Sequence, residues 1–227
     1  MPARLCLSLL ALLFVVACAP PADAPVEETA AERPGFDLTT TEAYDFGKIG
    51  VYAGDHADVY AHIDGNLDAH LANIQRWLRQ PSISAQNVGV LDMAEMLRGD
   101  LEAMGFAEAE LVPTDGHPGV WGYYDAGVDK TLAVYLMYDV QPVNPEDWES
   151  PPFEANLVDH ELGTVIMARG ATNQKGPQRA FLNALQSIIE VEGSLPVNIM
   201  IAADGEEELG SPNYHQVVAA YEDRLRS

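Results

Sequence analysis

Two runs of the chain, residues 131–138 (TLAVYLMY) and 195–203 (LPVNIMIAA), are apolar on successive positions rather than on alternate ones. A strand with one solvated face alternates with a period of two, so these runs predict strands buried on both sides, in a sheet covered by other layers. The flanking segments offer helices for that cover. Residues 57–79 place Val59, Ile63, Leu67, Leu71, Ile74 and Leu78 at steps of three and four, and Gln80-Pro81-Ser82 ends the pattern. A second helix is expected over 88–104, with Ala94, Leu97, Leu101 and Met104 on one stripe and Gly105 closing it. Shorter strands are expected at 108–112, 120–124 and 165–168, and a loop rich in Pro, Asn, Asp and Glu at 141–152. Lys175-Gly176-Pro177 opens a third helix, with Phe181, Leu185, Ile188 and Ile189 turned inward. A last helix is expected over 211–225, with Ser211 as its N-cap and Pro212 next. Helices alternating with apolar strands predict an α/β fold: three layers, with a mostly parallel sheet flanked by helices.

Charge narrows the functions. Twelve Lys and Arg stand against 35 Asp and Glu in 227 residues, a net charge of −23. Phosphate backbones and anionic lipid surfaces are bound by clustered basic residues, so nucleic acid is excluded as a default partner and membrane attraction by charge is disfavoured. Both cysteines, Cys6 and Cys18, lie within the first eighteen residues, which leaves no cysteine framework or cysteine zinc site in the remainder.

The amino terminus reads as an address. Arg4 precedes a short apolar run that is too short to span a bilayer and fits a secretory signal. Val15-Val16-Ala17-Cys18 looks like a bacterial lipobox, which predicts a signal peptide over 1–17, lipidation at Cys18, and a chain held to the cell-envelope membrane by acyl groups alone. The alternative is an ordinary signal peptide cleaved near Ala22-Asp23. Residues 18–41, rich in Ala, Pro, Glu and Thr, read as a flexible tether, and 42–227 as the folded part.

In open α/β sheets chemistry gathers at the carboxyl ends of strands. Three polar segments are expected there: Tyr138-Asp139, residues 169–175, and residues 204–208. The last is the most acidic stretch, Asp204-Gly205-Glu206-Glu207-Glu208, followed by Leu209-Gly210-Ser211. Carboxylates so crowded repel one another. A cation would offset the repulsion, as in hydrolytic metal sites where one carboxylate binds metal and another acts as base. A solvated acidic helix entry, favoured by the helix dipole, is the other reading of this segment.

Five motifs then occur in order: Gln80-Pro81-Ser82-Ile83-Ser84; Gly116-His117-Pro118; Tyr138-Asp139-Val140-Gln141-Pro142 with Trp148 and Pro152-Phe153; Arg169-Gly170-Ala171-Thr172-Asn173-Gln174-Lys175-Gly176; and Glu207-Glu208-Leu209-Gly210-Ser211. Together they resemble the zinc-dependent metallopeptidase family of carnosinases, bacterial dipeptidases, aminoacylases and glutamate carboxypeptidases. The resemblance covers roughly residues 57–227. It implies a hydrolase of peptide or N-acyl amino-acid amide bonds that uses zinc and takes small peptides or acyl amino acids. Carried over position by position, it implies that Glu207 is the general base, Glu208 a zinc ligand, and Asp139 the carboxylate behind a ligand histidine.

Two positions depart from that pattern. The family histidine falls on Met137 and the bridging aspartate on Asn173. A thioether is a poor zinc ligand beside imidazole, and an amide offers one neutral oxygen. Two dications about 4 Å apart repel by about 4 kcal/mol per unit-charge product at an effective dielectric of 20, which a bridging carboxylate offsets and an amide does not. One metal at Glu208, or none, is therefore expected in place of a two-zinc centre, with Met137 as a core residue at a strand end. The family's later ligands and its lid or dimerisation domain have no counterpart in these residues, so the chain is expected to be an amino-terminal portion of such a protein, with any homodimer formed through the domain it lacks. A non-catalytic peptide-binding lipoprotein on a degraded or truncated scaffold is the rival reading. His56, His62 and His70, on or near the first helix, are expected to be surface or capping residues; no His-Glu-x-x-His, Gly-x-Ser-x-Gly or phosphate-loop pattern is present.

Overall fold

A computed structural model describes residues 56–226. The expected signal peptide, Cys18, the whole tether over 18–41 and residues 42–55 lie outside the described residues. Among the described residues, six strands and six α-helices follow in chain order: α1 Ala57–Gly65, α2 Leu67–Arg79, α3 Val90–Ala103, β1 Glu108–Val112, β2 Gly119–Tyr124, β3 Thr131–Met137, β4 Asn156–His160, β5 Gly163–Met167, α4 Lys175–Glu192, β6 Asn198–Asp204, α5 Tyr214–Ala220 and α6 Glu222–Leu225.

The main sheet has the order β1-β2-β6-β3, and β4 and β5 form a separate hairpin. The α/β class and the flanking helices are as expected. One face of the sheet packs on α3 and α4 through Leu97, Leu101, Leu182, Leu185, Ile199 and Ile201. The other packs on α5 and α6, with Trp121, Met200 and Ala202 against Val217, Tyr221 and Leu225. The expectation of a mostly parallel sheet is corrected: β1–β2 and β2–β6 are antiparallel, and the β3–β6 ladder alone is parallel. β6 is buried along its whole length, as its apolar run requires. β3 is not. It lies at the edge of the described sheet, with Leu132 48% and Tyr135 47% exposed.

Local chemistry accounts for the boundaries. The helix expected over 57–79 breaks at Asn66, whose side-chain amide donates to the His62 carbonyl at 2.8 Å and whose backbone N–H donates to Ile63. Gln80 is extended before Pro81, which ends α2 as expected. α3 buries Val90, Met93, Ala94, Leu97 and Leu101 at helical spacing. α4 begins at Lys175, with Pro177 in its first turn, and ends on Gly193 at φ +81°. The helix expected over 211–225 with Ser211 as N-cap is also corrected. Residues Glu207–Leu209 form a 3₁₀ turn, Gly210 and Ser211 have positive φ, and Asn213 precedes the first turn of α5. A second break at Tyr221 separates α5 from α6.

Candidate active site

The parallel pair β3 and β6 ends in register, Met137 beside Asp204, so the segments that follow leave the same edge of the sheet together. Asp139 follows β3 and is fully buried. Its carboxylate accepts three hydrogen bonds: Ser84 Oγ at 2.6 Å, and the backbone N–H groups of Glu207 and Glu208 at 3.1 Å each. Burial pushes the Asp139 carboxyl above its ordinary value, and these three donors oppose the rise by favouring the ionised form. The turn carrying Glu207 and Glu208 is thus seated on Asp139, with both glutamates half-buried. Glu208 Oε2 accepts from Gln141 Nε2 at 2.8 Å.

The remaining acidic residues serve the frame. Asp204 Oδ1 accepts the Glu206 N–H at 2.8 Å. Glu206 is buried, accepting from the His117 backbone N–H at 3.1 Å and from Asn213 Nδ2 at 2.8 Å. Crowding shows on the tyrosines around it. Burial, with the Asp139, Asp204 and Glu206 carboxylates close by, pushes the Tyr138 hydroxyl far above its ordinary value. Tyr138 donates to the Pro118 carbonyl, which keeps it neutral. Gly205 passes against that ring: a Cβ there would lie 2.3 Å from the hydroxyl oxygen.

The sequence motifs meet around this point. Val140 N–H donates to Ser82 at 2.9 Å, and Ile83 pairs with Val140 in a parallel bridge. His117 Nε2 lies 3.0 Å from the Ser84 carbonyl. The Arg169 guanidinium stacks 5.3 Å above the Trp148 ring, and Arg169 N–H donates to Pro152 at 2.8 Å. Lys175 Nζ donates to the Gln80 carbonyl and to Ser82 Oγ. Sequence reasoning quoted Ser84, Gln141 and Lys175 within motifs and gave them no role; of the acidic stretch it left open, the structure turns Glu206 inward.

Met137 is buried at its strand end, as expected of a core residue. Asn173 is exposed, on the loop before α4, and is not among the hydrogen-bond partners of Asp139. Among the described residues, no three His, Cys, Asp or Glu side chains are grouped to hold a metal ion. Thioether and amide in place of imidazole and carboxylate do not fit a pair of zinc ions. The histidines of the first helices are engaged elsewhere: His62 Nε2 lies 3.0 Å from Glu190, and His70 Nε2 lies 3.3 Å from Ser187 Oγ, both on α4.

Comparison with known proteins gives the frame a context. A family model described as peptidase family M20/M25/M40 matches residues 134–226. The chain is 30% identical over 168 residues to a Cys-Gly metallodipeptidase of Candida albicans, covering 66% of this chain and 34% of that one. It is 36% identical over 188 residues to the Beta-Ala-His dipeptidase of Mus musculus, covering 74% and 37%. Among solved structures, a family metallo-carboxypeptidase from Sulfolobus solfataricus superposes with a TM-score of 0.62 at 34% identity, over 69% of this chain and 35% of that one. Human carnosine dipeptidase 1 superposes with a TM-score of 0.65 at 27% identity, over 74% and 38%. The chain spans about a third of the length of the curated relatives it matches.

Proposed function

This chain belongs to peptidase family M20/M25/M40, and from that premise we propose that it serves in hydrolysis of peptide or N-acyl amino-acid amide bonds in small, dipeptide-sized substrates. The observation that carries the reading is the seating of the Glu207–Glu208 turn on buried Asp139 at the carboxyl ends of β3 and β6. In this reading Glu207 takes the proton from an attacking water and passes it to the leaving amine. Asp139 fixes the turn from below, and the Gln141 amide orients Glu208. No step is routed through a zinc pair, because Met137 and Asn173 stand at two of the positions that would bind it.

The rival reading, a scaffold that binds peptides without cleaving them, is not favoured by the likeness to dipeptidases. The assay that separates the readings follows hydrolysis of dipeptides and acetyl amino acids by the full chain with zinc, manganese or cobalt added, beside Glu207→Gln. Turnover that falls at least about a hundredfold in Glu207→Gln supports the hydrolase. Peptide binding with no turnover in either protein supports the binder, and equal turnover by both removes Glu207 from the chemistry.

We also propose that the chain is a cell-envelope lipoprotein, from the apolar run that ends in Val15-Val16-Ala17-Cys18. Metabolic labelling with a fatty acid should mark the parent and not Cys18→Ala. Equal labelling of both would contradict lipidation at that residue.

A further inference from the structure

Lys175 is fully buried and pairs with no carboxylate among the described residues. Burying an unpaired ammonium is costly, so a residue kept there needs a reason in what it holds. Its stem passes Gly170, where an added Cβ would lie 3.3 Å from Lys175 Cδ on a backbone at φ +85°. Its Nζ meets two groups of the segment after α2, the Gln80 carbonyl and Ser82 Oγ. That segment has one rigid course. Ser82 carbonyl accepts Val140 N–H, Ile83 exchanges hydrogen bonds with Val88, and residues Ser84–Gln86 form a 3₁₀ turn packed against the turn of Glu207–Leu209. Ser84 Oγ then reaches Asp139 at 2.6 Å, and Asp139 holds the Glu207 and Glu208 amides.

We infer that Lys175 is a positioning residue: by gripping Gln80 and Ser82 from behind, it seats Ser84 on Asp139 and so fixes the turn that presents Glu207 and Glu208. Only the activity readout below rests on the hydrolase reading.

The test is amide hydrogen exchange in the full chain. In Lys175→Met, which keeps the stem and removes the donor, the Glu207 and Glu208 amides should exchange about tenfold faster, while the β2–β6 ladder keeps the parent rate. Ser84→Ala should speed the same two amides, and the double variant should add little to either single change, because both act through one chain of contacts. Parent-like exchange at Glu207 and Glu208 in Lys175→Met would overturn the inference. So would a rise shared equally by the ladder, or effects of the two changes that multiply. Should Lys175→Met not fold, Ser82→Ala removes one acceptor and keeps the lysine; a smaller rise confined to the same amides is then expected, and no change there overturns the inference. Where dipeptide turnover is measurable, kcat should fall with KM little changed. A chain without turnover would defeat the hydrolase reading and leave the exchange result standing.

Discussion

Asp139 shows how much a single buried carboxylate depends on its donors. Removing one leaves a polar group sealed from water with part of its hydrogen bonding lost, which costs about 1–3 kcal/mol. Ser84→Ala should therefore lower stability in urea unfolding by about that amount, and an unchanged midpoint would contradict the 2.6 Å contact. Lys175 adds a pH dependence. Burial pulls its ammonium down to about 7 from an ordinary 10.5. Between those values the unfolded chain holds the proton and the folded chain releases it, so stability rises as pH climbs from about 7 towards 10.5; below about 7 the cost is present in full. Lys175→Met should lack that rise, and parallel pH curves for the two proteins would contradict it. That Glu207, Glu208 and Asp139 come together was legible in the sequence, because spaced motifs at strand ends carry them. The work of Ser84 and Lys175 was not legible, because Lys175 acts on residues 93 and 95 positions away and Ser84 on one 55 away. Spacing along the chain gives no signal for such contacts.

The helical layer is tied together by one aspartate. Asp100 of α3 accepts from Arg76 and Trp77 of α2 and from Arg179 of α4. Arg179 is 3% exposed, and losing its carboxylate would strand a buried charge. Asp100→Ala should cost about 3 kcal/mol or more in urea unfolding, well beyond Glu95→Ala on the exposed face of the same helix. Equal costs would show that the network contributes no more than a surface pair. Helices α3 and α4 were legible because their apolar stripes are long and their ends carry Gly or Pro. The break at Asn66 and the turn at 207–211 were not, because side-chain and backbone hydrogen bonds there override the apolar spacing. β4 was missed for a related reason: five residues reading Asn-Leu-Val-Asp-His become a strand through pairing with β5.

Across the whole molecule, the runs at 131–138 and 195–203 revealed the sheet and its two helical layers, and the order of motifs revealed the family. Strand direction was not legible from β2, which is as apolar as a parallel strand would be, whereas Glu108 and Glu110 alternating along β1 suit an antiparallel edge strand. The exposed edge of β3 carries a consequence. Among the described residues β3 pairs on one side only, and its other edge, with Leu132 and Tyr135 exposed, is a template for association, opposed by a net charge of −23. Light scattering of the full chain should show association that grows with protein concentration and with salt, and that falls in Leu132→Lys. A monodisperse chain at high salt and high concentration would contradict this.

At the rim of that sheet we propose that a peptidase frame is kept while Met137 and Asn173, at two positions where the family resemblance puts metal ligands, do not suit zinc. Elemental analysis after dialysis, on the full chain and on Met137→His/Asn173→Asp, tests it most directly. The parent should retain no more than one zinc per chain, and the double variant should bind zinc at least about tenfold more tightly. Two zinc ions held by the parent, with no gain in the double variant, would contradict it.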